Sequence, residues 1–304
     1  TRTAYPWLIF FLPLGGIMII LLYHLLHDEK DTGTNLVLSA IHTGDEIPLR
    51  MAPLIFISTL NTHHFGGSAG REGAALQFGA SLGNWLGRKI HLNESDKRIM
   101  TLAGMSAAFA ALFGTPMAAA VFPMEVISVG IMYYAALVPC VFSAFIGERI
   151  SIFMGVRTLT APYPVEEVPN FYGIAWGKAI LLAICFAFAG ALFCVMLHIF
   201  EKQLKKWFQN PYLRVFVGGV TVVLLWKITG TDTYLGLGGG TIAQSFAEPQ
   251  KLWVFLLKIL FTCITLCSGF KGGEIVPSLF IGATLGSALA PIFGLPVDIC
   301  AACG

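Results

Sequence analysis

Two stretches decide how this 304-residue chain is read: residues 70–83, GREGAALQFGASLG, and residues 272–286, GGEIVPSLFIGATLG. Each begins with a glycine-flanked glutamate, Glu72 or Glu274, and ends in Gly-Ala-Ser/Thr-Leu-Gly. Gly79 matches Gly282 and Gly83 matches Gly286 at an offset of 203, whereas the glutamates match at 202, one residue of slippage. Each copy follows a glycine-rich break and is expected to open a helix. Irregular backbone at membrane depth is tolerated only where it is buried in protein or lines a cavity. Paired broken helices in two halves of one chain point to a transporter's binding site.

Composition supports a membrane setting. Hydrophobic residues make up 56% of the chain, and only 12% are charged, 19 basic and 17 acidic. Soluble domains carry roughly twice that charged fraction. With a mean hydropathy of +0.75, the apolar surface has no aqueous place to go. A soluble globular enzyme, a disordered chain and a disulfide scaffold are excluded, and a net charge of +2 offers no nucleic-acid footprint. Uncharged runs cover residues 7–26, 51–70, 99–124, 126–147 and 275–297, each of 20 to 26 residues. About 20 apolar residues cross the hydrocarbon core as a helix. Residues 173–200 suffice too, interrupted only by Lys178. The shorter runs 215–226 and 252–268 read as partial or broken helices. The expectation is an all-α membrane protein with eight to ten membrane segments, several of them re-entrant. No signal-peptide pattern accompanies the first apolar run. The seven cysteines lie mostly within apolar runs and read as small hydrophobes; no metal and no cofactor is expected.

Basic residues bunch at Arg88-Lys89 with Lys97-Arg98, and at Lys202, Lys205, Lys206 and Arg214. The positive-inside rule puts both groups on the cytoplasmic side of a cell membrane. Residues 158–170, TLTAPYPVEEVPN, read as a linker between a first half, 1–157, and a second, 171–304.

A helix that starts near the membrane midplane aims its unpaired N–H groups, worth about half a positive charge, at that point. In low dielectric this makes an anion site without a full cation. Gly70 and Gly73 let an ion come close to the backbone. An ionised Glu72 competes for the same field, and desolvation favours its neutral form. It can therefore alternate between occupying the anion site and swinging away protonated, which makes it a gate that carries a proton. A plain Arg71–Glu72 surface pair is the bland alternative. It fits poorly after twenty uncharged residues.

At these residues the chain resembles the CLC family of chloride channels and anion/proton exchangers. Residues 70–73, Gly-Arg-Glu-Gly, resemble its gating-glutamate motif. Gly33-Thr34-Asn35, after Asp31-Thr32, stands where the family has Gly-Ser-Gly-Ile-Pro. Residues 113–118, FGTPMA, resemble Phe-Asn-Ala-Pro-Leu-Ala, and residues 272–277 resemble Gly-Gly-Ile-Phe-Ala-Pro. The resemblance implies a CLC-type inverted-repeat bundle with broken and re-entrant helices, working as a homodimer in a bacterial inner membrane on a halide anion and protons. It implies anion binding at Thr32, Gly33, Thr34, Asn35, Gly70, Arg71, Gly73, Gly273, Ile275 and Val276.

Departures from the family pattern choose a branch. The segment after residues 113–118 ends Phe122-Pro123-Met124-Glu125-Val126, so Val126 replaces the second, inward-facing glutamate of proton-coupled chloride exchangers. Glu274 adds a carboxyl to the other anion-binding helix start, as in the fluoride-exporting branch, whose motif there is Gly-Gly-Glu-Val-Thr-Pro. Val276 replaces that threonine, and Thr32 or Thr34 stands where fluoride exchangers tend to have methionine. The expected function is proton-coupled halide antiport, fluoride export first, with Glu274 relaying the proton or shaping the fluoride site. The alternatives are a passive chloride channel and a chloride/proton exchanger. From another class, residues 66–70, GGSAG, fit the G-x-S-x-G nucleophile pattern, with His63 and His64 just upstream. An intramembrane serine hydrolase needs a strand–turn–helix context that the pattern here lacks.

At an offset of 203, the second copy of residues 113–126 falls near 316–329, beyond Gly304. The family also has a helix ahead of the 7–26 position and a pathway tyrosine on its last helix. The chain is therefore expected to lack the final two or three helices and part of the N-terminus.

Overall fold

A computed structural model describes residues 5–26, 33–44, 46–126, 132–156, 165 and 174–304. Of the 158–170 linker, only Val165 is among them. The described residues form thirteen α-helices: α1 Leu12–Leu25, α2 Thr34–Thr43, α3 Met51–His64, α4 Glu72–Lys89, α5 Glu94–Phe113, α6 Pro116–Val126, α7 Leu137–Phe153, α8 Ile174–Trp207, α9 Pro211–Thr229, α10 Gly239–Ala247, α11 Trp253–Ser268, α12 Ile275–Phe293 and α13 Val297–Cys303. Short 3-10 turns, Pro6–Phe11 and Tyr134–Ala136, lead into α1 and α7.

Glycine and proline set where these helices stop. Gly114, in the left-handed region at φ 68°, ends α5, and Pro116 opens α6, the usual division of labour between the two residues at helix ends. The uncharged run 99–124 is thus two elements rather than one span. The run 51–70 also divides: α3 ends at His64, and Gly66 follows at φ 91°. Five stretches are long and apolar enough to cross a membrane: Pro6–Leu25, Tyr134–Phe153, Trp176–Trp207, Pro211–Thr229 and Ile275–Phe293. Pro116–Val126 and Trp253–Ser268 are apolar but shorter. The eight to ten expected segments resolve, among the described residues, into five long apolar stretches, the other helices being shorter or less apolar.

The chain forms two compact units. One comprises residues 22–59 and 71–161. In it α4 and α5 cross with their backbones in contact: a Cβ on Gly79 would overlap the Gly104 carbonyl, and one on Gly104 would overlap that of Gly79. Small residues permit this approach, which supplies packing that hydrophobicity cannot drive in lipid. Gly79→Ala is expected to destabilise the protein by about 1–3 kcal/mol through overpacking, read as a lowered melting temperature in detergent. A polar face of α4 pins the preceding loop. Ser81 Oγ donates to Pro48 O at 2.8 Å, Ile47 N to Asn84 Oδ1 at 3.3 Å, and Arg88 Nη2 to Ile47 O at 3.2 Å.

The other unit comprises residues 1–21, 60–70 and 162–304. Its core joins Ala189 and Phe193 of α8, Ile259 and Cys263 of α11, and Ile281 and Leu285 of α12. The 203-residue offset recurs here in three dimensions. A Cβ on Gly15 would run into Phe65 and Asn61, and one on Gly218 would run into Ser268 and touch the Ile264 carbonyl; each residue of the second trio is 203 beyond its counterpart. Shifted by that amount, α1–α5 fall on α9–α13 in order. The start of α4 at Glu72 coincides with that of α12 at Ile275, and the start of α5 at Glu94 with that of α13 at Val297.

Candidate functional site

Several candidate residues lie at breaks between helices. After α3 ends, Gly67 N donates to Thr62 O at 2.8 Å, curling the chain back. Hydroxyls of α11 satisfy the next backbone turn: Ser68 N donates to Thr265 Oγ1 at 3.2 Å, and Ser68 Oγ pairs with Thr262 Oγ1 at 3.1 Å. His63 Nε2 lies 3.0 Å from Ala69 O. A Cβ on Gly272 would meet the Ala69 methyl, so the two glycine-rich breaks touch. Buried backbone groups need such partners wherever a chain leaves helical geometry away from water.

Ser68 is therefore a structural residue. It is fully buried, its hydroxyl is engaged with Thr262, and it lies between two helices rather than after a strand. Nothing in this setting resembles a nucleophile elbow. Ser68→Ala is expected to cost about 1 kcal/mol of stability through the lost hydroxyl hydrogen bond to Thr262 and to leave anion movement near wild type. Thermal unfolding and liposome flux check the two halves of that expectation.

At the centre, Gly70 N donates to Gly273 O at 2.7 Å and Gly273 N to Gly70 O at 2.9 Å. The two glycines are 203 residues apart, so each is the other's counterpart in the repeat. The bridge thus joins each glycine to its own counterpart. This fixes the register and corrects one reading of the sequence. The counterpart of Glu274 is Arg71, not Glu72. Both are N-cap residues with nearly equal backbone angles, φ −107°, ψ −13° for Arg71 and φ −104°, ψ −12° for Glu274. Glu72 is matched by Ile275.

The two carboxyls accordingly occupy unlike places. Glu72 is wholly buried in the first turn of α4, with buried Gly73 beside it. Glu274 is exposed at the head of α12, as Arg71 is at the head of α4, while Ile275 is half-buried and Val276 buried. Gly33 caps α2 at φ 74°, ψ −141°, a conformation that suits glycine. Thr34 and Asn35 open that helix, but their side chains, and Thr32 altogether, lie outside the described residues. α2 packs on α4 in the same unit as Glu72, with Gly33 facing the side-chain amide of Gln77. Gly70 and residues 273–276 belong to the other unit.

Chemically, the starts of α2, α4 and α12 share one property. Their N-cap residues place no side chain on the opening N–H groups, whereas Asn93 and Asn210 cap α5 and α9. Uncapped N-termini carry the partial positive charge that attracts an anion. Among the described residues no group of His, Cys, Asp or Glu is arranged to hold a metal. One ionisable group escaped the sequence reading: residues 252–268 were counted as an apolar run, which passes over Lys258, fully buried in α11.

Comparison with known proteins adds four findings. A family model described as voltage gated chloride channel matches residues 15–304. The chloride/fluoride channel protein of Pseudomonas syringae pv. tomato is 39% identical over 310 residues, covering 100% of this chain and 68% of that protein. The crystal structure of a CLC-type fluoride/proton antiporter superposes with a TM-score of 0.92 at 36% identity, over 99% of this chain and 76% of that one. A slow cyanobacterial Cl−/H+ antiporter, at 22% identity and a TM-score of 0.74, covers 95% of this chain and 69% of its own and shares the fold.

Proposed function

Since the chain belongs to the voltage-gated chloride channel family, we propose that it exchanges a halide, fluoride first, for protons across the membrane it spans. The observation that carries this reading is Glu72, a fully buried carboxyl in the first turn of an uncapped helix that starts two residues after the Gly70–Gly273 bridge. A proton arriving at Glu72 neutralises it, and the side chain leaves the anion site. The anion then takes its place on the N–H groups at the helix start, helped by Gly70 and Gly73. Fluoride is small and strongly hydrated, so replacing its water takes close donors. Gly33, Thr34, Asn35, Gly273, Ile275 and Val276 are the proposed further sources, through backbone N–H groups and, at Thr34 and Asn35, side chains. Glu274, at the α12 N-cap, is the proposed proton relay or shaper of the fluoride site.

Export of fluoride against an inward proton gradient suits a bacterial inner membrane, and a homodimer follows the resemblance. Residues 1–157 and 171–304 are read as two halves, supported by the recurrence of elements at 203 residues. A chloride/proton exchanger is the second reading, favoured by Val276, whose buried side chain brings no hydroxyl to the anion.

The test is flux from liposomes holding the full-length protein, followed with fluoride and chloride electrodes in parallel, with and without a pH gradient. Fluoride uphill movement driven by the proton gradient is expected. Halide movement indifferent to that gradient would mean a passive channel, and chloride outpacing fluoride would move the assignment to the second reading.

A further inference from the structure

Lys258 sits in the middle of α11, fully buried, in a helix that is otherwise apolar or hydroxyl-bearing. Its Nζ donates to Gly236 O at 2.7 Å and to Tyr234 O at 3.3 Å, and lies 5.0 Å from the centroid of the Phe280 ring. Tyr234 and Phe280 are themselves buried. A Cβ on Gly238 would strike the Phe280 ring, so the loop ahead of α10 and the flank of α12 close around the ammonium. Two carbonyl oxygens and an aromatic face all present negative potential to Nζ, the kind of surface that a cation seeks.

A buried cation in a membrane protein is costly, and such groups mark function. Hydrogen bonds to two carbonyls do not require it, since a neutral amide side chain donates to both at a smaller desolvation penalty. What lysine or arginine adds beyond those hydrogen bonds is the capacity for a positive charge. Phe280 belongs to α12, five residues beyond its first residue, Ile275, or about 7–8 Å along the axis at 1.5 Å per residue. The ammonium therefore stands within about 10–15 Å of the α12 start, behind the N–H groups proposed to receive the anion.

Building on that proposal, we infer that Lys258 is a positioning residue for anion transport. It holds the 234–236 loop against α12 and adds a fixed positive charge to the field at the start of that helix. At an effective dielectric of about 20 and such a separation, one unit charge changes anion occupancy by about tenfold.

The test compares Lys258→Arg, Lys258→Gln and Lys258→Met in the full-length protein, as monodisperse preparations in liposomes. Half-saturation for halide, maximal rate and proton-to-anion coupling are measured for each. Lys258→Gln and Lys258→Met are expected to raise the half-saturating concentration about tenfold, with maximal rate and coupling within about twofold of wild type. Lys258→Arg is expected to keep wild-type affinity. Wild-type affinity in Lys258→Gln overturns the inference, because the hydrogen bonds alone would then suffice. If Lys258→Met fails to fold, the arginine and glutamine variants decide: equal affinity in those two also overturns it. A wild type that moves no halide overturns the transport reading and this inference with it. Normal wild-type exchange with an unaffected Lys258→Gln removes this inference alone.

Discussion

Glu72→Ala is expected to abolish proton-driven halide movement in liposomes, lowering it at least hundredfold, or about 2.7 kcal/mol on the barrier. Glu72 is the one acidic residue in the first turn of α4 and is wholly buried there. At the end of α6, where the family resemblance puts a second proton-handling carboxyl, the chain has Val126. On the proposed mechanism, removing Glu72 leaves no carboxyl to alternate with the anion at the α4 start. The variant should still leak halide passively, because the uncapped N–H groups remain. Glu72→Gln, which mimics the protonated form, should leak in the same way. Proton-driven uptake at full rate in the alanine variant would remove Glu72 from the mechanism.

The second large effect is at the other helix start. Glu274→Gln keeps the size of the side chain and deletes its charge, and fluoride exchange is expected to fall at least tenfold, about 1.4 kcal/mol. On the proposed mechanism this carboxyl, at the α12 N-cap, relays the proton or shapes the fluoride site. An acidic group also stabilises a helix start through the macrodipole, by about 0.3–1 kcal/mol at exposed positions. A small drop in melting temperature is therefore expected alongside the functional loss. The two effects separate when flux is measured well below the melting transition. Undiminished fluoride exchange in this variant, or a wild type that prefers chloride, would sink the fluoride branch and leave only the family.

Much of this was legible in the sequence because membranes impose coarse rules. Uncharged stretches mark helices that must satisfy their backbone internally, and the 203-residue offset is visible from Gly79, Gly83, Gly282 and Gly286 alone. The register at the helix starts was not legible. Matching by residue type aligns glutamate with glutamate, whereas the structure aligns backbone with backbone and sets Glu274 opposite Arg71. Counting charges also hides helix ends: Gly114-Thr115-Pro116 divides an unbroken uncharged run without altering its charge. Long-range hydroxyl pairs such as Ser68 with Thr262, 194 residues apart, leave no local pattern at all. Lys258 was legible and was passed over, because one lysine does little to the mean hydropathy of a sixteen-residue helix.

In the vocabulary of symmetric oligomers, the Gly70–Gly273 bridge is an isologous contact folded into a single chain: the same backbone edge from each repeat meets itself. At that point the molecule behaves as a dimer of half-length subunits, and self-pairing alone gives neither side a distinct identity. Identity begins one residue further on, where one half-subunit carries Arg71 and the other Glu274. A perfectly self-matched pair has no preferred sense of travel. The exchange of a cation for an anion at equivalent N-cap positions is where the two repeats part in charge beside the bridge.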